Sequence, residues 1–159
     1  MDYELLGAQL QSFAEADNWY VPLMANASAL LFDALADVNW VGFYLLRGDR
    51  LVLGPFQGKV ACIHIPLGKG VCGTAAQRDE TQLVPDVHAF PGHIACDSAS
   101  NSEIVVPIHR KGALKELNRR AVVAVLDIDS PVPNRFSEAD RTGLEALVKV
   151  LEAHIDLDA

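Results

Sequence analysis

The stretch from Asn39 to Leu53, Asn-Trp-Val-Gly-Phe-Tyr-Leu-Leu-Arg-Gly-Asp-Arg-Leu-Val-Leu, constrains the fold more than any other part of the chain. Its first eight residues are aromatic and β-branched, the composition of a strand that buries at least one face. Arg47-Gly48-Asp49-Arg50 then has turn chemistry and Leu51-Val52-Leu53 resumes the apolar pattern, which predicts an antiparallel hairpin. Alternation places Val41, Phe43 and Leu45 on a core face and Trp40, Gly42 and Tyr44 on the other. Two amphipathic rings around a glycine are either more core or a small aromatic pocket with room beside Gly42.

The flanking segments extend that hairpin into a sheet. Leu6, Leu10 and Phe13 form a helical stripe within residues 2–16, and a second helix is expected from Val21 to Leu35 with Pro22 in its first turn. Beyond the connection Gly54-Pro55-Phe56-Gln57-Gly58, the run from Ala61 to Ile65 predicts a third strand ended by Pro66. Gly68 to Gly73 leads into a short helix, Thr81 to Val84 is a short strand, and Pro85 to Ser102 is a long loop. Glu103 to His109 and Arg120 to Asp129 read as paired strands. Ser137 with Asp140 three residues on starts a last helix, whose apolar face is Leu144, Leu147, Val148, Leu151 and Ile155. This order predicts an α+β fold in one domain over residues 1–159. Its central antiparallel sheet carries the terminal helices on one face and a loop-covered pocket on the other.

Composition narrows the function. A formal charge of -8 argues against a nucleic-acid partner. The basic cluster of His109, Arg110, Lys111, Lys115, Arg119 and Arg120 reads as a solvated hairpin tip. No apolar run is long enough to span a bilayer, and Met1-Asp2-Tyr3-Glu4 does not open a signal peptide, so no membrane partner and a cytoplasmic location are expected. Three cysteines, an odd number, suit reduced thiols better than a disulfide framework.

Those cysteines invite chemistry. Cys96 stands in the polar loop from Gly92 to Ser102 near His93, an unusual setting for a residue type that is mostly buried. Cys62 has His64 beside it on the expected third strand. Cys72 opens the short helix, where the dipole lowers a thiol's pKa. Cys72 and Cys96 are equally good nucleophiles on these grounds. No C-x-x-C pair exists, which disfavours structural zinc and favours a redox dithiol. Gly68-Lys-Gly-Val-Cys-Gly matches the dinucleotide fingerprint, but Pro66-Leu67 intervenes after the strand and hairpins flank it, so that reading is set aside. Asp127 and Asp129, two apart on a strand, share a face, and Glu103 is their neighbour in the expected hairpin. Adjacent carboxylates raise one another's pKa and can keep an acid protonated at neutral pH, unless this is a strand end fraying into water before Pro131.

Several longer motifs occur together: Asn39-Trp-Val-Gly-Phe-Tyr, Leu53-Gly-Pro-Phe-Gln-Gly-Lys-Val-Ala-Cys-Ile, Gly68-Lys-Gly-Val-Cys-Gly-Thr-Ala, Pro85-Asp-Val-His-Ala-Phe-Pro-Gly-His-Ile-Ala-Cys-Asp and Leu126-Asp-Ile-Asp-Ser. With these the chain resembles the free methionine-(R)-sulfoxide reductases, enzymes of the GAF fold, from about Leu5 to the last helix. The resemblance implies that Cys96 is the nucleophile and Cys62 the thiol that resolves it as a disulfide. It implies that Cys72 lies in the substrate pocket or acts as a second resolving thiol. Trp40 and Tyr44 would surround the methylthio end of free methionine sulfoxide, and Glu103, Asp127 and Asp129 the sulfoxide oxygen and the amine. It further implies thioredoxin as reductant, no metal and no organic cofactor. The segment between Ile108 and Val125 is longer than the family's tight hairpin and leaves open how it bears on a homodimer contact. A GAF sensor that binds a small molecule without catalysis is the competing class.

Overall fold

The computed structural model describes residues 1–94, 99–111 and 122–157. The elements run α1 (Tyr3–Ala16), α2 (Tyr20–Ala34), β1 (Trp40–Arg47), β2 (Arg50–Gly58), β3 (His64–Pro66), α3 (Gly70–Arg78), β4 (Gln82–Val84), a 3-10 turn (Val87–Ala89), β5 (Ser102–His109), β6 (Val122–Ser130) and α4 (Glu138–His154). The six strands form one sheet in the order β3-β2-β1-β6-β5-β4, and every neighbouring pair is antiparallel. The expected α+β architecture is therefore present, with β1 and β6 at the centre.

The two sheet faces bury different things. Val41, Phe43, Ile104, Val106, Leu126 and Ile128 point to one side and pack on Leu6, Leu10, Leu23, Leu31, Leu144, Leu147 and Leu151 of the three long helices. The stripe expected for α4 is buried through Leu144, Leu147, Val148 and Leu151, and its start is fixed by the reciprocal capping box of Ser137 and Asp140. Tyr3 donates to Asp140 Oδ1 at 2.6 Å and so ties the start of α1 to the same cap. The opposite face carries Trp40, Tyr44, Val105 and Val125, covered by α3 and the loops.

Three local readings change. Gly54 to Gly58 is not a connection but the second half of β2. The register slips by a bulge between Gly42 and Tyr44, which lets the strand carry Pro55, a residue without an N–H to donate. There is no room beside Gly42: a Cβ there would lie 2.3 Å from Phe56 Cβ and 2.6 Å from the Trp40 ring. The glycine allows Phe56 and Trp40 to close over the strand. The third strand is shorter than expected. It pairs only from His64, so Cys62 lies in the segment before it.

His109 is no part of a solvated hairpin tip. It ends β5 with its ring held between Asp79, at the C-cap of α3, and Glu152 of α4. Arg110 and Lys111 are exposed, as expected of a tip, and the rest of it, residues 112–121, lies outside the described residues. The hydrogen bond to Glu152 raises the His109 pKa to about 8; burial opposes this and the Asp79 bond assists it. An imidazolium that donates from both nitrogens stabilises the fold only while charged. This contribution should be complete below the unfolded histidine value near 6.5 and be lost as pH rises through about 8. Denaturation midpoints between pH 6 and 9 should therefore fall more steeply in the parent than in His109→Gln; parallel curves would contradict the assignment.

Candidate functional site

The covered face of the sheet contains a cavity of about 40 Å³ whose wall includes Trp40, Tyr44, Cys72, Glu103, Asp127 and Asp129. The register explains how six residues far apart in sequence meet. Trp40 pairs with Asp129 and Gly42 with Asp127 across β1 and β6, and Glu103 pairs with Asp129 across β5 and β6. All three carboxylates therefore share a face beside the Trp40 ring. They do not belong to a fraying strand end, since Glu103 is 8% and Asp127 5% exposed.

The aromatic wall is a stack. Trp40 lies 5.2 Å from Phe56 and 5.9 Å from Tyr44 between ring centroids, with interplanar angles of 15° and 23°. Both polar tips are occupied: Trp40 Nε1 donates to Lys59 O at 3.1 Å and Tyr44 OH to Cys62 O at 3.0 Å. What the rings offer the cavity is apolar, polarisable surface, suited to a thioether sulfur. Phe56, which does not itself line the cavity, backs the Trp40 ring and is not among the aromatics expected from the sequence. Its position on the Trp40 face depends on the bulge in β2, which sequence alternation does not reveal.

Charge in the cavity is one-sided. Burial pushes the Glu103 carboxyl well above the usual carboxylate range, and the neighbouring Asp127 and Asp129 push it further, partly through hydrogen bonds to it. The raised pKa favours the protonated form of the Glu103 carboxyl. Asp127 Oδ1 is buried and accepts no hydrogen bond among the described residues, an acceptor left for a donor to fill. His93 reaches the cavity wall and its pKa is lowered by desolvation and by nearby His88, so it stays neutral there. His64 is exposed and is not among the residues lining the cavity.

The cysteines separate. Cys72 is free and buried, with Sγ 4.0 Å from Glu103 Oε2. The dipole argument for an activated Cys72 thiolate does not hold: burial, then Asp127 and Glu103, push its pKa well up. A thiol surrounded by acids in a dry site is a poor nucleophile. Cys62 is disulfide-bonded. Cys96 lies outside the described residues. Ligand atoms of Cys72, Glu103 and Asp127 lie within 4.8 Å of one another, the one group among the described residues spaced to hold a cation. The raised thiol and acid pKa values work against deprotonated ligation there.

The glycines of Gly68-Lys-Gly-Val-Cys-Gly serve backbone geometry. Gly68 and Gly70 take positive φ, and a Cβ on Gly73 would lie 2.4 Å from Pro66 O, so the run permits α3 to pack against β3. This presses Cys72 into the cavity and aims the first turn of α3 at it.

The GAF domain model matches residues 9–155. The chain is 49% identical over 150 residues to the free methionine-R-sulfoxide reductase of Escherichia coli, covering 94% of this chain and 86% of that one. The chain belongs to the GAF-domain free methionine-R-sulfoxide reductase family. Among solved structures, fRMsr of Staphylococcus aureus in complex with substrate superposes with a TM-score of 0.87 at 49% identity, covering 98% of this chain and 96% of that one. The free methionine-R-sulfoxide reductase of Neisseria meningitidis, also solved with its substrate, gives a TM-score of 0.87 at 42% identity over 96% of this chain and 87% of that one. Among the described residues no helix is long and apolar enough to cross a membrane.

Proposed function

We propose that this protein is an oxidoreductase that reduces free methionine-(R)-sulfoxide to methionine with its own thiols. The observation that carries the reading is the cavity itself: an aromatic stack faces three carboxyl groups, one of them with its pKa raised by burial and another with an unfilled acceptor. A free amino acid brings what this arrangement lacks. Its ammonium supplies a donor to Asp127 Oδ1 and a positive charge beside Asp129, its methylthio end lies on Trp40 and Tyr44, and its carboxylate meets the backbone N–H groups in the first turn of α3.

The Cys96 thiolate attacks the sulfoxide sulfur while Glu103 delivers a proton to the oxygen, which otherwise is a poor leaving group. Methionine departs and Cys96 becomes a sulfenic acid. The Cys62 thiol condenses with it, releasing water and forming a Cys62–Cys96 disulfide. Support comes from the disulfide state of Cys62 and from the suppressed nucleophilicity of Cys72. Cys72 then lines the substrate cavity, its thiol held beside Glu103. A dithiol protein such as thioredoxin resets the enzyme in the cytoplasm. Neither metal nor organic cofactor enters this cycle.

A sensor that only binds its ligand would not need a disulfide at Cys62. Incubating the protein with racemic free methionine sulfoxide and dithiothreitol, then resolving the products by chiral chromatography, tests the proposal. The (R) form should be consumed and methionine appear in equal amount. Unchanged sulfoxide would leave the sensor reading in its place.

A further inference from the structure

Residues 59–63 join β2 to β3 without belonging to either strand, yet the core holds their backbone. Lys59 O accepts from Trp40 Nε1 at 3.1 Å, Cys62 O from Tyr44 OH at 3.0 Å and Ile63 O from the Leu53 N–H at 2.9 Å. Val60 and Ile63 project from this fixed segment on either side of Cys62 and are 89% and 62% exposed; Val60 also borders the cavity, whereas Ile63 does not. They are the two most exposed large apolar side chains among the described residues. Scattered apolar residues on a surface are ordinary. Two on a pinned segment that bracket a disulfide-bonded cysteine are not scattered.

Charge singles out the same surface. The chain has 21 acidic residues, yet none lies between Asp49 and Asp79. The residues around Cys62 are Gln57, Gly58, Lys59 and His64, all exposed and none of them anionic. A disulfide is opened by a thiolate, an anion, and no acid flanks Cys62 in the chain to repel one attacking its sulfur. A small apolar contact also fits the modest area of transient redox encounters.

We propose that Val60 and Ile63 form the docking contact through which a thioredoxin-type dithiol protein reaches Cys62. The inference rests on the reductase reading above. The partner's thiolate attacks Cys62 Sγ, a mixed disulfide forms and the Cys96 thiolate leaves. The partner's second thiolate then attacks its own sulfur in the mixed disulfide and releases Cys62. Two electrons pass to the enzyme, and the partner departs as a disulfide.

Ile63→Asp is the test, because the exposed side chain changes while the backbone carbonyl still accepts from Leu53. Steady-state reduction of free methionine-(R)-sulfoxide would be followed with thioredoxin, thioredoxin reductase and NADPH, and separately with dithiothreitol. In Ile63→Asp, kcat/KM for thioredoxin should fall about tenfold or more while the dithiothreitol rate changes by less than about twofold. Ile63→Val should restore the thioredoxin value. Equal losses with both reductants would assign Ile63 to the cavity's own function, and an unchanged thioredoxin value would remove it from docking; either overturns the proposal. A parent enzyme that works with dithiothreitol but not with thioredoxin overturns the docking partner alone. A parent inactive with both overturns the reductase reading and the docking with it.

Discussion

Cys96→Ser should release no methionine even in a single turnover, whereas Cys62→Ser should release one equivalent per chain and then stall with a thioredoxin-type reductant. The difference follows from what each thiol contributes. A serine hydroxyl at position 96 cannot attack the sulfoxide sulfur at neutral pH, because its proton is held far more tightly than a thiol's. Cys72 cannot substitute for it. Its thiol is buried among Asp127, Glu103 and Asp129, which hold it protonated. In the proposed cycle, loss of Cys62 leaves the first chemical step intact and removes the thiol that condenses with the sulfenic acid. Reduced protein mixed with excess substrate and quenched within one turnover gives the methionine yield directly. A full equivalent from Cys96→Ser would sink the assignment of the nucleophile.

Glu103→Gln should lower kcat by roughly 10²- to 10⁴-fold, the usual contribution of a positioned general acid. Glutamine fills nearly the same volume and can still donate a hydrogen bond, but it cannot give up a proton to the departing oxygen. The pH profile separates the two roles. Burial and the two aspartates raise the Glu103 pKa, so the parent should retain its acid well above the ordinary carboxylate range and lose rate as pH climbs past that raised value. Stability shares that sign. A carboxyl whose folded pKa is raised favours the fold while protonated, and its contribution falls as pH rises through the folded value. Glu103→Gln is uncharged throughout and should be flatter in both respects. A variant that keeps the parent's rate and slope would move the proton donor to another group.

Much of this was legible in the chain because the determinants were local. Alternation in β1 and the two-residue spacing of Asp127 and Asp129 fixed which side chains share a face. The Ser137 and Asp140 pair marked the start of α4 to the residue. Other features depended on tertiary contact. The helix-dipole argument for Cys72 was sound for an exposed helix start, but here the start is packed under three carboxyl groups, and desolvation outweighs the dipole. The space expected beside Gly42 vanished because a bulge carries Phe56 onto Trp40. Cys62 left the strand because pairing begins only at His64. His109 read as basic loop because its two carboxylate partners are 30 and 43 residues away. The choice of Cys96 over Cys72 came from resemblance, and the burial of Cys72 supplies an independent reason against the alternative.

The central claim is that the cavity takes the whole zwitterion of a free amino acid, and kcat/KM measured side by side for free methionine-(R)-sulfoxide and its N-acetyl derivative tests it most directly. Acetylation removes the ammonium and leaves the buried Asp127 Oδ1 without a donor. The cost is on the order of 1–3 kcal/mol for each unpaired group, hence about tenfold or more in kcat/KM before any steric exclusion of the acetyl group. Dithiothreitol as reductant keeps the comparison independent of any docking partner. The account predicts robust turnover of the free (R)-sulfoxide and a loss of at least about tenfold on the blocked one. Equal values for the two would mean that Asp127 and Asp129 do not receive the substrate's amine, and would contradict the account.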